Sequence, residues 1–383
     1  MERSARFQAT KLLIALLPLF AFHSLHSFPH LPRIHRSASA HANFQTLTPC
    51  WASSADRGGG GGFGSSKSMQ KKPTKQTLAK RLEKKYGGTT PQDIARGTQQ
   101  QIEEKMKSLP PHLQVATQLY QELQKWNARM SSISILDQTK IPPGDMEGAR
   151  RAQAELQRLY EEHNLTPNDL HNIFQKITWD ASADAKAARS LTGRMPKKIE
   201  DRVDKACKII AEAVESAGDE GTCLDVGCGF GVLVPSLKKA GVAHNRIYGV
   251  DLSPEMIRNA QDLHPDANFE AADFLSYKPL SNGFDGIIFC SSLHDMPDSI
   301  AALKKAEDLL RPNGKIVVVH PQGASHVKMQ ASSNPVLVKR CLPDAKELCD
   351  LCCNLNLIIE PAAANSREES ENGYLAVLQK KNN

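Results

Sequence analysis

The chain of 383 residues lacks an apolar run long enough to cross a bilayer as a helix. Leu12 to Phe22 is eleven residues, all apolar or proline, against the roughly 20 that a span requires. That length argues against a stable membrane span and fits the central region of a signal peptide. The same stretch is nearly without acid: residues 1–55 set Arg3, Arg6, Lys11, Arg33 and Arg36 against Glu2 alone, among many Ser, His and Ala. Such a composition reads as a targeting presequence rather than a fold. Aromatics are scarce too, at 5%. In the basic stretch from Lys67 to Lys107, Tyr86 is the lone aromatic, so a stacking surface for single-stranded nucleic acid is disfavoured. Lys71, Lys72, Lys75, Lys80, Arg81, Lys84 and Lys85 read first as a solvated, partly helical tail, with RNA as the alternative partner through phosphate contacts.

Cysteine is plentiful, but a metal-site pattern is missing. Cys341, Cys349, Cys352 and Cys353 lie within thirteen residues, yet no second C-x-x-C or His pair lies nearby to complete a structural zinc site. Leu348, Leu351, Cys352 and Leu355 share one helical face, so the cysteines read as packing. A redox role for Cys349 and Cys352 is weakened because the pair falls well inside a helix expected to begin near Pro343.

What is present is a turn built for close approach. Leu224-Asp225-Val226-Gly227-Cys228-Gly229-Phe230-Gly231 runs a buried-strand pattern into three alternating glycines. Without Cβ atoms, its backbone N–H groups can approach a ligand and positive φ costs little. A dinucleotide fingerprint would need glycine at 232, where this chain has Val, and no Gly-Lys-Ser/Thr follows to make a P-loop. Downstream, Arg246 to Asp251 reads as a short strand ending in an acid, then a helix with Ser253 as N-cap, Pro254 at N1 and Met256 in its first turn. An acid at the end of the second strand can accept from vicinal ribose hydroxyls, which singles out Asp251. Asn268 to Phe274 carries Asp273 beside an aromatic. Phe284 to Cys290 is a buried strand opening into Ser291-Ser292-Leu293-His294-Asp295, and Leu309 to His320 joins a helix end, a Pro-Asn-Gly turn and another strand.

These five segments, in this order, resemble the motifs of the class I S-adenosylmethionine-dependent methyltransferases. The resemblance implies an α/β fold over residues 196–381, a doubly wound, mostly parallel seven-stranded Rossmann-like sheet, closed by an antiparallel pair at Leu355 to Glu360 and Tyr374 to Gln379. It implies S-adenosyl-L-methionine as cofactor, bound by Asp225, Gly227, Gly229, Gly231, Asp251, Met256, Asp273, Phe274 and Cys290, with Asp273 near the adenine amino group. His294, Asp295 and His320 become candidate catalytic groups, with His326 a further one, and Pro321 to Pro335 a lid. No Asn/Asp-Pro-Pro-Tyr/Phe follows the fourth strand, so the implied acceptor is oxygen or carbon of a small molecule, lipid or quinone precursor. A scaffold that binds RNA or protein while retaining adenosylmethionine, or a methyltransferase acting on RNA or protein, is the alternative.

The remaining segments are read from pattern. Residues 1–55 resemble the bipartite plastid presequence of algae with complex plastids, a signal peptide followed by a basic, Ser-rich segment opening at Phe28. This points to a plastid, with mitochondrion or secretion as alternatives. Residues 56–75 read as a flexible linker around Gly58 to Gly62. Residues 76–195 read as an α-helical accessory region that could cap the active site, dimerise or dock a partner. Within it Leu156, Leu159 and Tyr160 share a face, Thr166-Pro167-Asn168-Asp169 starts a helix, and Leu170, Ile173, Phe174 and Ile177 form its apolar stripe.

Overall fold

The computed structural model describes residues 75–87, 91–133, 142–279, 282–360 and 373–381. The presequence of residues 1–55 and nearly all of the linker of residues 56–75 lie outside them.

Short apolar runs become a sheet whose centre is buried on both faces. The strands are β1 (Cys223–Val226), β2 (Ile247–Asp251), β3 (Asn268–Ala271), β4 (Phe284–Cys290), β5 (Leu310–His320), β6 (Leu357–Ile359) and β7 (Tyr374–Lys380), in the order β3-β2-β1-β4-β5-β7-β6. β1 to β5 run parallel, and β7 is antiparallel to both β5 and β6. Every residue of β1 and all of β4 up to Phe289 are buried, as a strand covered by helices on both sides requires. The fold is the doubly wound, mostly parallel sheet expected. Pro312-Asn313-Gly314 is accommodated inside β5: Leu310 pairs with Phe284, the register then shifts, and Lys315 pairs with Gly286.

Seven helices precede or flank the turn into β1: α1 (Lys75–Tyr86), α2 (Pro91–Arg96), α3 (Thr98–Lys107), α4 (Pro111–Ser132), α5 (Pro143–His163), α6 (Pro167–Thr192) and α7 (Lys197–Ser216). α7 lays Val203, Cys207, Ile210 and Val214 against Ile288 and Val317 on one face of the sheet. The opposite face is covered by α10 (Ser299–Leu309) and α12 (Ala345–Asn354), whose Ala302, Leu303, Leu348 and Cys352 pack on Leu224, Phe289 and Ile316. α8 (Val234–Lys239), α9 (Pro254–Leu263) and α11 (Ala324–Ser333) complete the set. Cys352 is buried while Cys349 and Cys353 are exposed, and no metal-binding cluster occurs among the described residues.

α6 opens on the reciprocal cap that Thr166 and Asp169 announce: each side chain accepts from the other residue's backbone N–H. Leu170 packs with Tyr120 of α4 and Leu156 and Leu159 of α5. Further along, Ala185 and Ala188 meet Leu78 and Leu82 of α1 and Leu263 of α9. α1 is bound to the same place by charge. Lys85 and Arg81 reach Asp184 at 2.7 and 3.3 Å, Arg81 reaches Asp262 at 2.7 Å, and Tyr86 donates to Asp184 at 3.0 Å. Lys105 of α3 pairs with Asp180 of α6 at 3.2 Å. Three cations of the basic stretch, Arg81, Lys85 and Lys105, thus serve to dock helices within the chain, which removes them from the phosphate-binding face the sequence allowed.

Candidate active site

A cavity of about 450 Å³ opens at the carboxyl ends of β1, β2 and β4, where an open α/β sheet holds its ligands. All nine residues expected to hold the cofactor line it: Asp225, Gly227, Gly229, Gly231, Asp251, Met256, Asp273, Phe274 and Cys290.

The glycine turn works differently from the expectation. Gly227 donates to the Val250 carbonyl at 2.8 Å, Gly231 to the Cys228 carbonyl at 3.0 Å, and Gly229 to the Asp251 carboxylate at 2.9 Å. These N–H groups are spent on the turn itself, so the glycines contribute shape more than donors. At Gly227, with φ of 71°, a Cβ would stand 2.5 Å from that of Ser292. At Gly229, with φ of 53°, it would point into open space, where a ligand can lie against bare backbone.

Asp251 is fixed from two sides, accepting from Gly229 N and from Ser253 N, each at 2.9 Å. Burial raises its pKa, and the two backbone N–H groups and Lys186 work against that rise. Ser253 is the N-cap of α9 as expected, its hydroxyl accepting from Met256 N at 3.1 Å. The same hydroxyl donates to Asp180 of α6 at 2.6 Å, and Asp180 also accepts from Glu255 N at 3.3 Å. The accessory helix therefore holds the loop that carries Asp251. Asp225 is buried at the end of β1, and burial, then the charge of Asp251, pushes its carboxyl up to about 8. Asp273 is held by Leu275 N at 3.1 Å, and Phe274 sets its ring edge-on to Phe289. Ser291, next to Cys290 on the rim, has φ of 55°, a costly conformation of the kind that gathers at functional sites.

The wall facing the strand ends is α6. Gln175, Trp179, Lys186 and Arg189 line the cavity, followed by Arg194 in the connection to α7. The Lys186 ammonium lies 3.8 Å from the centre of the Trp179 ring. Of the roles the sequence left open for the helical region, α6 fits the cap, since it lines the cavity. Sequence reasoning missed these residues. The periodicity of α6 marks its apolar stripe, but nothing local marks which polar positions face a cavity.

Of the catalytic candidates, Asp295 lines the cavity and the other two do not. His294 and His320 are 4% and 2% exposed and sit behind the wall, stacked edge to face at 5.2 Å. Neither Nδ1 has a hydrogen-bond partner. His320 is held well below the usual imidazole range, to about 3, by burial and by His294 and His326. His320 is a neutral core group away from the cavity, while His294 lies outside the cavity lining with its Nε2 3.6 Å from Asp295 Oδ1. His326 stacks on His320 from α11, and no residue of 321–335 lines the cavity, so that segment is not its cover. Asp298 caps α10, accepting from Ile300 N and Ala301 N. Asp295 is gripped from α6 instead: its carbonyl accepts from His171 Nε2 at 2.8 Å and from Gln175 Nε2 at 3.2 Å. Burial raises the pKa of its carboxyl, opposed by His294, Lys186 and Gln175.

Residues 199–360 match the family model described as a methyltransferase domain. A trans-aconitate 2-methyltransferase of Enterobacter sp. (strain 638) is 34% identical over 134 residues, covering 34% of this chain and 51% of that one. A ubiquinone biosynthesis O-methyltransferase of Xanthomonas axonopodis pv. citri is 28% identical over 145 residues, covering 36% and 53%. The chain thus spans about half the length of the curated relatives it matches. Among solved structures, magnesium protoporphyrin IX methyltransferase of Synechocystis PCC 6803 with bound SAH superposes with a TM-score of 0.40 at 14% identity, over 55% of this chain and 100% of that one. Residues 199–360 thus match a methyltransferase-domain model and supply six of the seven strands of the doubly wound, mostly parallel sheet, β7 lying beyond them.

Proposed function

We propose that this protein transfers a methyl group from S-adenosyl-L-methionine to oxygen or carbon of a small-molecule acceptor. The observation that carries the reading is the convergence of nine motif residues, drawn from four strand ends, on one cavity of the size that small ligands occupy. In this reading Asp251 takes the ribose hydroxyls, Asp273 the adenine amine and Asp225 the ammonium of the methionine moiety, while bare backbone at Gly229 lets the ligand lie close. When bound, the cofactor supplies an electrophilic methyl group. The chain supplies alignment: methyl transfer is an in-line displacement, and most of the rate gain available to the protein lies in holding the two reactants end to end. α6 forms the opposite wall of the cavity.

The relatives support an acceptor of small size, one being named for trans-aconitate and the other for ubiquinone biosynthesis. Calorimetry on the full chain tests the cofactor. Adenosylmethionine and its demethylated product are expected to bind and NAD to give no heat; NAD binding without adenosylmethionine binding would overturn the assignment.

A further inference from the structure

Four carboxylates line the cavity among the described residues: Asp225, Asp251, Asp273 and Asp295. In the reading above the first three each meet a group of the cofactor, and they follow the strand order of the sheet. Asp273 lies just beyond β3, Asp251 ends β2, Asp225 belongs to β1, and β4 comes next. Adenine, ribose and methionine are laid out along that row, so the loop after β4 faces the reactive end of the cofactor. Asp295 is the acid of that loop that lines the cavity, and the cofactor leaves it nothing to hold.

Asp295 is also held differently from the others. Asp251 and Asp273 accept from backbone N–H groups, which favours a carboxylate in its ionised form. Asp295 is anchored by its backbone instead. Ser291 turns the chain out of β4 with φ of 55°, a single 3₁₀ turn follows at Leu293–Asp295, and the Asp295 carbonyl accepts from His171 and Gln175 of α6. His171 is neutral, burial holding its pKa to about 4. The Asp295 side chain is 19% exposed, and the groups that face its carboxyl are His294, with Nε2 at 3.6 Å from Oδ1, and Lys186 and Gln175 of α6. Burial outweighs all three and raises its pKa, toward the operating pH at which a base serves best. Other titratable groups of the lining are less suited. The Cys290 thiol is pushed up to about 12 by burial and keeps its proton, and His264 packs on Phe269 of β3, at the adenine end of the row.

Resting on the methyltransferase reading, we propose that the acceptor presents a hydroxyl group and that Asp295 is the catalytic base that takes its proton, with His294 a positioning residue behind it. The acceptor oxygen forms the new O–CH3 bond with a lone pair while its O–H bond breaks toward the Asp295 carboxylate. The C–S bond breaks as that bond forms, and its electron pair stays on sulfur. Carboxylate and sulfonium thus become carboxylic acid and thioether, the acceptor becomes a methyl ether, and the proton passes from Asp295 to water when the products leave. Met296 and Pro297 follow Asp295 along the lining and give the carbon skeleton of the acceptor an apolar surface.

The test separates this proposal from the reading beneath it. The full chain is incubated with adenosylmethionine labelled in the methyl group and with the small-molecule fraction of a cell extract, and in parallel with catechol as a defined hydroxyl acceptor. Mild alkali releases label from methyl esters, and hot hydriodic acid releases it from methyl ethers as methyl iodide. Label that is stable to alkali and released by hydriodic acid is expected. Asp295→Asn should bind adenosylmethionine within about twofold of the unsubstituted chain by calorimetry, yet transfer label about 100-fold more slowly or worse near neutral pH. Its deficit should shrink as rising pH ionises the hydroxyl without help, and the acidic limb of the rate profile should vanish. His294→Gln should keep transfer and move that limb to higher pH, since His294 opposes protonation of Asp295. Label released by alkali, or label that resists both treatments, overturns the hydroxyl. Full rate in Asp295→Asn, or equal losses of cofactor binding and rate, overturns the base. Each of these leaves methyl transfer standing, whereas bound cofactor with no transfer to any acceptor overturns methyl transfer itself.

Discussion

Two buried carboxylates set the behaviour of the site at the scale of single residues. Asp251 is held by two backbone N–H groups before any ligand arrives, so its lone pairs are already aimed. Asp251→Ala removes the acceptor and loosens the Gly229 turn at once, and is expected to weaken cofactor binding by about 1–3 kcal/mol, read by calorimetry on folded protein. Asp225 carries the pH dependence. Its carboxyl titrates near 8 in the fold, against about 4 unfolded. A folded value above the unfolded one means that Asp225 supports folding fully below about pH 4, and that this support is lost as pH rises through 8. Asp225→Asn should therefore flatten the fall in stability over that interval, measured by urea denaturation at a series of pH values. An ammonium placed against Asp225 favours the ionised form, so binding should expel a proton below pH 8 and tighten as pH approaches that value.

These residues were legible because each belongs to a short motif whose chemistry is local: an acid ending a strand, glycines at alternate positions, a Ser-Pro helix start. That His294 and His320 fall outside the cavity lining was not legible, for the converse reason. Whether an imidazole faces a cavity or the core depends on what packs over it, and here His326 of α11 and His294 both pack on the His320 ring.

At the scale of elements, α9 shows how a cap can serve two masters. The Ser253 hydroxyl accepts from Met256 N and donates to Asp180, so it ends one helix and ties it to another. Ser253→Ala is expected to cost about 1 kcal/mol of stability and to weaken cofactor binding as well, because the tether to α6 and the position of Asp251 are lost together. Chemical denaturation and calorimetry on the same variant measure the two effects. The apolar stripe of α6 was readable from its spacing. Its polar face was not, because Gln175, Asp180 and Lys186 have no pattern until the sheet is placed beside them.

At the scale of the molecule, buried charge fastens α1 to α6, and Arg81 carries the link on to Asp262 of α9 beside the sheet. Asp184 is 6% exposed at its side chain and meets Arg81, Lys85 and Tyr86. Asp184→Ala removes the acceptor that Lys85, Tyr86 and Arg81 share, Arg81 keeping Asp262, and is expected to destabilise the protein by about 2 kcal/mol, seen as a lowered Tm. The basic stretch that suggested RNA from composition is explained in part by this docking, which a count of charges along the chain has no means to show. For residues 1–55 we propose delivery to a plastid. A fluorescent fusion of residues 1–70 is expected to enter the organelle, and cytosolic fluorescence would refute it.

The 26-residue helix α6 meets a different partner at nearly every turn: Asp295 through His171 and Gln175, Ser253 through Asp180, Arg81 through Asp184, the cavity through Lys186. A helix advances about 100° for each residue, so these engagements are locked in phase like the lobes of a camshaft. Replacing one side chain silences one lobe. Inserting or deleting a single residue near Trp179 would turn everything beyond it through that angle and disengage the rest together. The length of this helix, more than the identity of any one residue on it, is therefore what this chain has least freedom to change.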